Sequence, residues 1–368
     1  AQEDPLDQYL VGHPDELLTR PPEDATIDPA NPYLLAPHLR CACHEAGLDV
    51  EEATRWFGDT APGLLAADVS DGTLRLRAGR HHWTSRRRPA SLVNLRSGSS
   101  RTIRIVDATT GAVIGDVDEY RAHRQVHTGA IHLHQGRALR VEALDLDAAT
   151  ALVIDAPDPS LMTRARTDTD VDVLEETDRR DGPVDGIGFR LGRIRVTSQV
   201  VGHDLLRVGG TRVLDRVDLD LPPVVLDTVG VWWTVEDWLL EAAGIAGRRA
   251  PGSLHAAEHA AIGLMPLVAL CDRWDIGGLS TVLHPATGTP TVFVYDGHEG
   301  GAGLAERSFR RIDDHLRLTR TAVADCRCDD GCPSCVQSPK CGNGNDPLDR
   351  HGAVRLLDLL LDGPPSRP

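Results

Sequence analysis

Five of the chain's eight cysteines fall between Cys326 and Cys341, in the order Cys326-x-Cys328-x3-Cys332-Pro-x-Cys335-x5-Cys341. Whatever this segment folds into must accommodate those thiols. Thiolates are soft ligands, and a tetrahedral zinc ion takes four of them at about 2.3 Å. The Cys332-Pro-Ser-Cys335 step has knuckle spacing, which lets two sulfurs reach one ion. Five cysteines cannot all ligate one tetrahedral ion. The expected set is Cys326, Cys328, Cys332 and Cys335, with Cys341 as the spare or a substitute ligand. Four sulfurs leave no open position, so the site reads as structural. An iron–sulfur cluster fits the same count. The first ten residues, AQEDPLDQYL, show no basic cluster followed by an apolar stretch and hence no secretory signal. Clustered cysteines then read as metal ligands before disulfides. Cys41, Cys43 and Cys271 lie in apolar stretches and read as core.

A single lysine, Lys340, excludes one class of chemistry. A P-loop needs Gly-Lys-Ser/Thr so that the lysine reaches the β- and γ-phosphates, and Lys340 sits in Ser-Pro-Lys-Cys. The chain has no Walker A site of its own. The longest apolar run, residues 260–271, contains Pro266 and is far short of the ~20 residues of a spanning helix, so no membrane partner is expected. A length of 368 residues sets a prior of two or three domains.

Net charge is −16, which argues against a uniformly basic nucleic-acid binder. The distribution argues otherwise. Between Leu74 and Arg104 there are nine arginines, at 75, 77, 80, 86, 87, 88, 96, 101 and 104, and no acidic residue. A basic island in an acidic chain is the footprint expected for a polyanion. The candidate nucleic-acid contacts are Arg75, Arg77, Arg80, Arg86, Arg87 and Arg88, with His81 and Trp83 as a stacking surface for unpaired bases. The alternative is a solvated hairpin with Trp83 packed inward.

Periodicity divides the chain. Residues 1–30 are polar and proline-rich and read as a linker or arm. In 31–89, Asn31-Pro32 opens a helix carrying Leu35, Leu39, Ala42 and Ala46, with Pro37 as a competing start. Asp49 and Glu52 have capping-box spacing into a second helix. A third runs near 60–69, and a hairpin follows with Ala78-Gly79 as its turn. Three short helices and a hairpin make a winged-helix pattern. Over 90–205 the period is two, which predicts a small all-β barrel or sandwich. There the acidic run Asp168–Glu176 reads as a solvated strand edge or loop. Residues 206–368 are mixed α/β and include the cysteine cluster. The predicted fold class is α+β and multidomain.

Two further constellations carry chemistry. His255-Ala-Ala-Glu258-His259 matches the H-x-x-E-H metallopeptidase pattern. It reads either as a zinc hydrolase, with both histidines as ligands and Glu258 as general base, or as a buried polar network. The loop Asp296–Gly303 lies between a strand and a helix. Its amides suit an anion such as a DNA phosphate, or it is a tight turn.

Taken together, DPLDQYL, NPYLLAPHL, GAIHLHQGRALRVEALD, TSQVVGH, LDLPPVVLDTVGVWW, HAAEHAAIGLMPL, FVYDGHEGGAGLAERSF and CRCDDGCPSCVQSPKCGNGNDPLD resemble the C-terminal half of bacterial superfamily two DNA helicases of the SftH and MrfA type. The resemblance covers nearly the whole chain. It implies DNA-dependent ATPases that translocate 3′ to 5′ and unwind duplexes, one branch acting in repair of mitomycin-type damage. It implies two RecA-like ATPase lobes that this sequence lacks, so the chain reads as the accessory region that follows the motor. ATP would then matter only through those absent lobes. The family's zinc site carries over to Cys326, Cys328, Cys332 and Cys335, for one structural ion. No catalytic motor residue carries over, and His255–His259 reads as part of a structural helix. The implied partners are DNA, as single strand or fork, and the ATPase lobes of the same polypeptide, in a bacterial cytoplasm at the nucleoid. A third reading is a protein-docking structural module.

Overall fold

A computed structural model describes residues 3–19, 26–93, 102–210 and 212–364. Two of the nine arginines, Arg96 and Arg101, lie outside the described residues, as does the Pro21-Pro22 pair. The chain opens with α1 (Pro5–Gly12) and α2 (Pro14–Leu18). Asp4 caps α1, accepting from the Asp7 amide at 3.0 Å, and Arg273 reaches the same carboxylate at 3.2 Å. Leu6, Tyr9 and Leu10 form a short helical stripe that packs on Leu264, Leu267 and Ala322. Part of the expected arm is therefore a docked helix. Its polar, proline-rich surroundings hide a stripe only two turns long.

The winged-helix unit comprises α3 (Pro32–Glu45), α4 (Val50–Phe57), α5 (Ala61–Ser70), β1 (Leu74–Arg77) and β2 (Arg80–Trp83). Asn31 caps α3 through the Tyr33 amide at 2.9 Å, and Pro37 sits inside the helix instead of starting it. Both halves of the Asp49–Glu52 capping box are formed. The hairpin pairs Leu74 with Trp83 and Arg77 with Arg80 around a left-handed Ala78-Gly79 turn. Leu48 bridges His81 as the stub of a third strand. Leu35, Leu39, Cys43, Leu48, Ala53, Ala61, Leu65 and Leu74 form the core.

Next come β3 (Thr102–Asp107), β4 (Val113–Asp118), α6 (Glu119–Gln125), β5 (Ile131–His134), β6 (Arg137–Asp145) and β7 (Thr150–Asp155). They form a five-stranded sheet in the order β4-β3-β7-β6-β5, with β3 and β7 parallel. The alternating residues Ile103/Ile105, Leu139/Val141 and Ala151/Val153 meet Ala122 and Val126 of α6 in one core.

The long strands β8 (Leu161–Asp181) and β9 (Ile187–Arg207) belong to a second, antiparallel sheet with β10 (Val213–Asp218), β11 (Val224–Val235), β12 (Ile276–Thr281) and β13 (Thr291–Asp296). Where the periodicity predicts one barrel or sandwich over 90–205, two sheets share that stretch. Period-two alternation identifies a strand but not its partner, and β9 pairs with β11, which lies beyond residue 205. The acidic run lies in β8, which among the described residues pairs only with β9. Pro222-Pro223 separates β10 from β11, as expected of residues that cannot donate to a ladder.

One face of the second sheet is covered by helices. These are α7 (Asp237–Ala242), α8 (Ala250–Leu264), α9 (Leu304–Arg310), α10 (Ile312–Asp325) and α11 (Arg350–Asp362). Strand alternation sends Trp233 into the helical core and Trp232 to the opposite face, against Phe293. The alanine-rich α8 is buried along nearly its whole length.

Candidate metal centre and nucleic-acid face

No helix or strand forms between the end of α10 and the start of α11, and the cysteine cluster lies there. The sulfur separations are 3.5 Å for Cys326–Cys328, 3.6 Å for Cys326–Cys332, 3.6 Å for Cys328–Cys335 and 3.9 Å for Cys332–Cys335. A tetrahedral ion with Zn–S bonds of ~2.3 Å sets its sulfurs ~3.8 Å apart. Disulfides would bring them to ~2.0 Å. A cluster in which each thiolate binds its own iron would spread them further than one shared ion does. The donor set therefore fits one zinc-like ion. Cys335 and Val336 are fully buried in the helical core, and burial pushes the Cys335 thiol up. Arg350 braces the loop by donating to Val323 O and Ala324 O at 3.0 Å, and also to Cys326 O.

Cys341 is not part of this group. Its sulfur lies with His255 and His259, one donor atom of each within 4.8 Å of the others. The two motif histidines are thus brought together with the spare cysteine. Glu258 is buried, and that burial pushes its carboxyl up.

The wing arginines divide into two kinds. Arg80 is committed to the fold: it bonds Glu52 at 2.6 Å, Asp49 at 3.2 Å and Gly47 O at 3.1 Å. His81 is buried with its Nδ1 on Leu48 O at 2.9 Å. Both side chains are thus engaged by partners within the winged-helix unit. Arg75, Arg77, Arg86, Arg87 and Arg88 are exposed, and among the described residues none makes an ion pair. Trp83 is half-buried against the winged-helix core and donates its indole N–H to Arg87 O at 2.8 Å. It lines a small cleft of about 210 Å³ with Arg75, Arg77 and His82.

The glycine loop is self-satisfied. Asp296 accepts from the amides of Ala302 at 2.6 Å, Leu304 at 3.2 Å and Ala305 at 2.7 Å. The anion at the start of α9 is the chain's own carboxylate, so these amides are not free for a phosphate. The glycines serve close approach: Gly300 has φ +74°, and a Cβ there would lie 2.6 Å from Tyr33. Asn31 donates to Glu299 O at 2.9 Å and to Gly301 O, tying the winged helix to this loop. Asp296→Ala leaves three amides, two of them buried, without an acceptor. It is expected to destabilise the protein by about 3–5 kcal/mol, read as a lower urea midpoint. A loss below ~1 kcal/mol would show that the loop does not depend on this carboxylate.

Sequence reasoning missed a cleft of about 910 Å³ lined by Arg121, Arg124, Lys340, His255, His259 and Cys341, among others. Lys340 donates to Arg273 O at 2.7 Å and stands 5.2 Å over the Trp274 ring. Burial lowers its pKa to about 7, helped by Arg124 and Arg121. Its isolation as the chain's one lysine was the available signal.

Residues 257–336 match the MrfA Zn-binding domain family. Residues 27–98 match the winged helix domain of the ATP-dependent helicase HRQ1. The uncharacterised ATP-dependent helicase YprA of Bacillus subtilis (strain 168) is 30% identical over 340 residues, covering 91% of this chain and 44% of that protein. The crystal structure of the DUF1998 helicase MrfA aligns with a TM-score of 0.61 at 28% identity, over 92% of this chain and 47% of that one. The DNA-bound form of that helicase aligns with a TM-score of 0.54 at 29% identity, over 97% and 47%. The chain spans less than half the length of these relatives.

Proposed function

We propose, for a chain that carries an MrfA-type Zn-binding domain and an HRQ1-type winged helix and is homologous to the C-terminal region of those helicases, that it is the DNA-gripping accessory region of an ATP-dependent superfamily two helicase. The observation that carries this reading is the wing. It holds five exposed arginines that the described residues leave without ion pairs, on a domain matched to a helicase winged helix. Guanidinium groups in that state suit phosphate contacts. The four-thiolate centre would hold one zinc ion that braces the segment between α10 and α11. In the full-length protein the region would hold the strand drawn by the ATPase lobes during unwinding in DNA repair. Without a Walker lysine it would hydrolyse no ATP alone.

The test is a titration of fluorescent single-stranded and forked DNA at 50 and 200 mM salt. Five phosphate contacts on a single strand give a slope of log K against log salt of about −3.5, hence a loss of about 100-fold between the two conditions. Equal affinity at both salts, or no binding at either, would overturn the proposal and favour protein docking.

A further inference from the structure

We infer that His255, His259 and Cys341 form a second metal site, for one divalent cation of the zinc class, with its fourth coordination position open to the cleft. The ring tautomers are set by the backbone. His255 Nδ1 lies 2.8 Å from Pro347 O, and His259 Nδ1 lies 2.9 Å from Val336 O. A carbonyl only accepts, so each Nδ1 carries the ring proton and each Nε2 keeps its lone pair. This is the arrangement by which backbone carbonyls orient imidazole ligands toward a metal. His255 Nε2 is 3.5 Å from Cys341 Sγ. A tetrahedral ion with a ~2.0 Å bond to nitrogen and a ~2.3 Å bond to sulfur sets those two donors ~3.5 Å apart.

The donor count supports the same conclusion. Cys341 brings at most one proton to the group. A thiol can therefore satisfy one of the two imidazole lone pairs, whereas a cation engages all three donors. All three side chains are buried, yet each lines the 910 Å³ cleft. The Cys341 sulfur also accepts from the Asn345 amide at 3.2 Å, a contact that stabilises a thiolate. Two nitrogens and one sulfur suit a borderline-soft ion, and three protein donors are the number that leaves a coordination position for an exogenous ligand. The four-thiolate centre has no such position. The two sites are adjacent, because the carbonyl that orients His259 belongs to Val336, next to the buried ligand candidate Cys335.

The test is a metal count on the 368-residue chain, loaded with Zn²⁺, desalted and analysed by plasma mass spectrometry. The expected result is two ions per chain, falling to one in Cys341→Ser and in His259→Gln. One ion in the wild type, or two that persist in both variants, overturns the inference. Should a variant unfold and lose both ions, zinc-edge fine structure of the loaded wild type decides. Nitrogen scatterers at ~2.0 Å beside sulfur at ~2.3 Å support the site, and sulfur alone overturns it.

Discussion

Cys335→Ser is expected to cost the chain one zinc ion and the order of the whole segment between α10 and α11. That segment has no helix or strand, and its internal backbone bonds are a few turns around Cys332 and Ser338. Loops this long without structure of their own are uncommon in compact domains. Something must replace the missing ladder, and four sulfurs at tetrahedral separations supply it. A structural zinc contributes ~10–16 kcal/mol in isolated zinc-finger peptides, comparable with the ~5–15 kcal/mol net stability of a whole domain. Here the helical core is extensive, so the loss should begin locally. Val336 and Cys335 leave the core, the Arg350 brace to Cys326 O is released, and α11 loosens from α10. The measurement pairs metal content with limited proteolysis. Content should fall by one ion per chain, and cleavage should appear first within residues 326–349. Cys43→Ser, in the winged-helix core and in neither donor group, should leave metal content unchanged. A Cys335→Ser chain with full metal content and unchanged protease resistance would remove the structural role assigned to the ion.

Much of this architecture is legible one element at a time. The capping box at Asp49, the Asn31-Pro32 start and the Ala78-Gly79 turn are local chemistry, and each stands where the sequence places it. Pairing between distant strands is not local. Alternation in β9 looks the same whether its partner is β8 or β11, so sheet membership could not be read. The four cysteines were legible because spacing and donor chemistry coincide. That Cys341 stands apart from them was not, since its neighbours His255 and His259 come from a helix more than eighty residues earlier. The glycine loop misleads for a related reason. Free amides at a helix start look alike in sequence whether they await a phosphate or are filled by Asp296, as they are here. Arg80 and Arg86 likewise read as equal charges until Glu52 and Asp49 take up the first.

That last difference supplies a direct test of the wing. Arg86, Arg87 and Arg88 reversed together to Glu should weaken DNA binding by about 100-fold or more at low salt. Every single-strand phosphate that is no longer neutralised takes ~0.7 from the salt slope, so the slope should flatten by about two units. The three side chains are exposed and none carries an ion pair among the described residues. Reversal should therefore leave the fold intact, which an unchanged metal content and urea midpoint would verify. Arg80→Ala should do the opposite. It removes the partner of Asp49 and Glu52 and one donor to Gly47 O. The winged helix should lose about 1 kcal/mol, while the DNA affinity of the folded protein changes less than about twofold. The two variants separate a charge that faces a polyanion from one spent inside the domain. Were the triple reversal to bind DNA as the wild type does, the exposed arginines would face another partner, and the protein-docking reading would replace the DNA-gripping one.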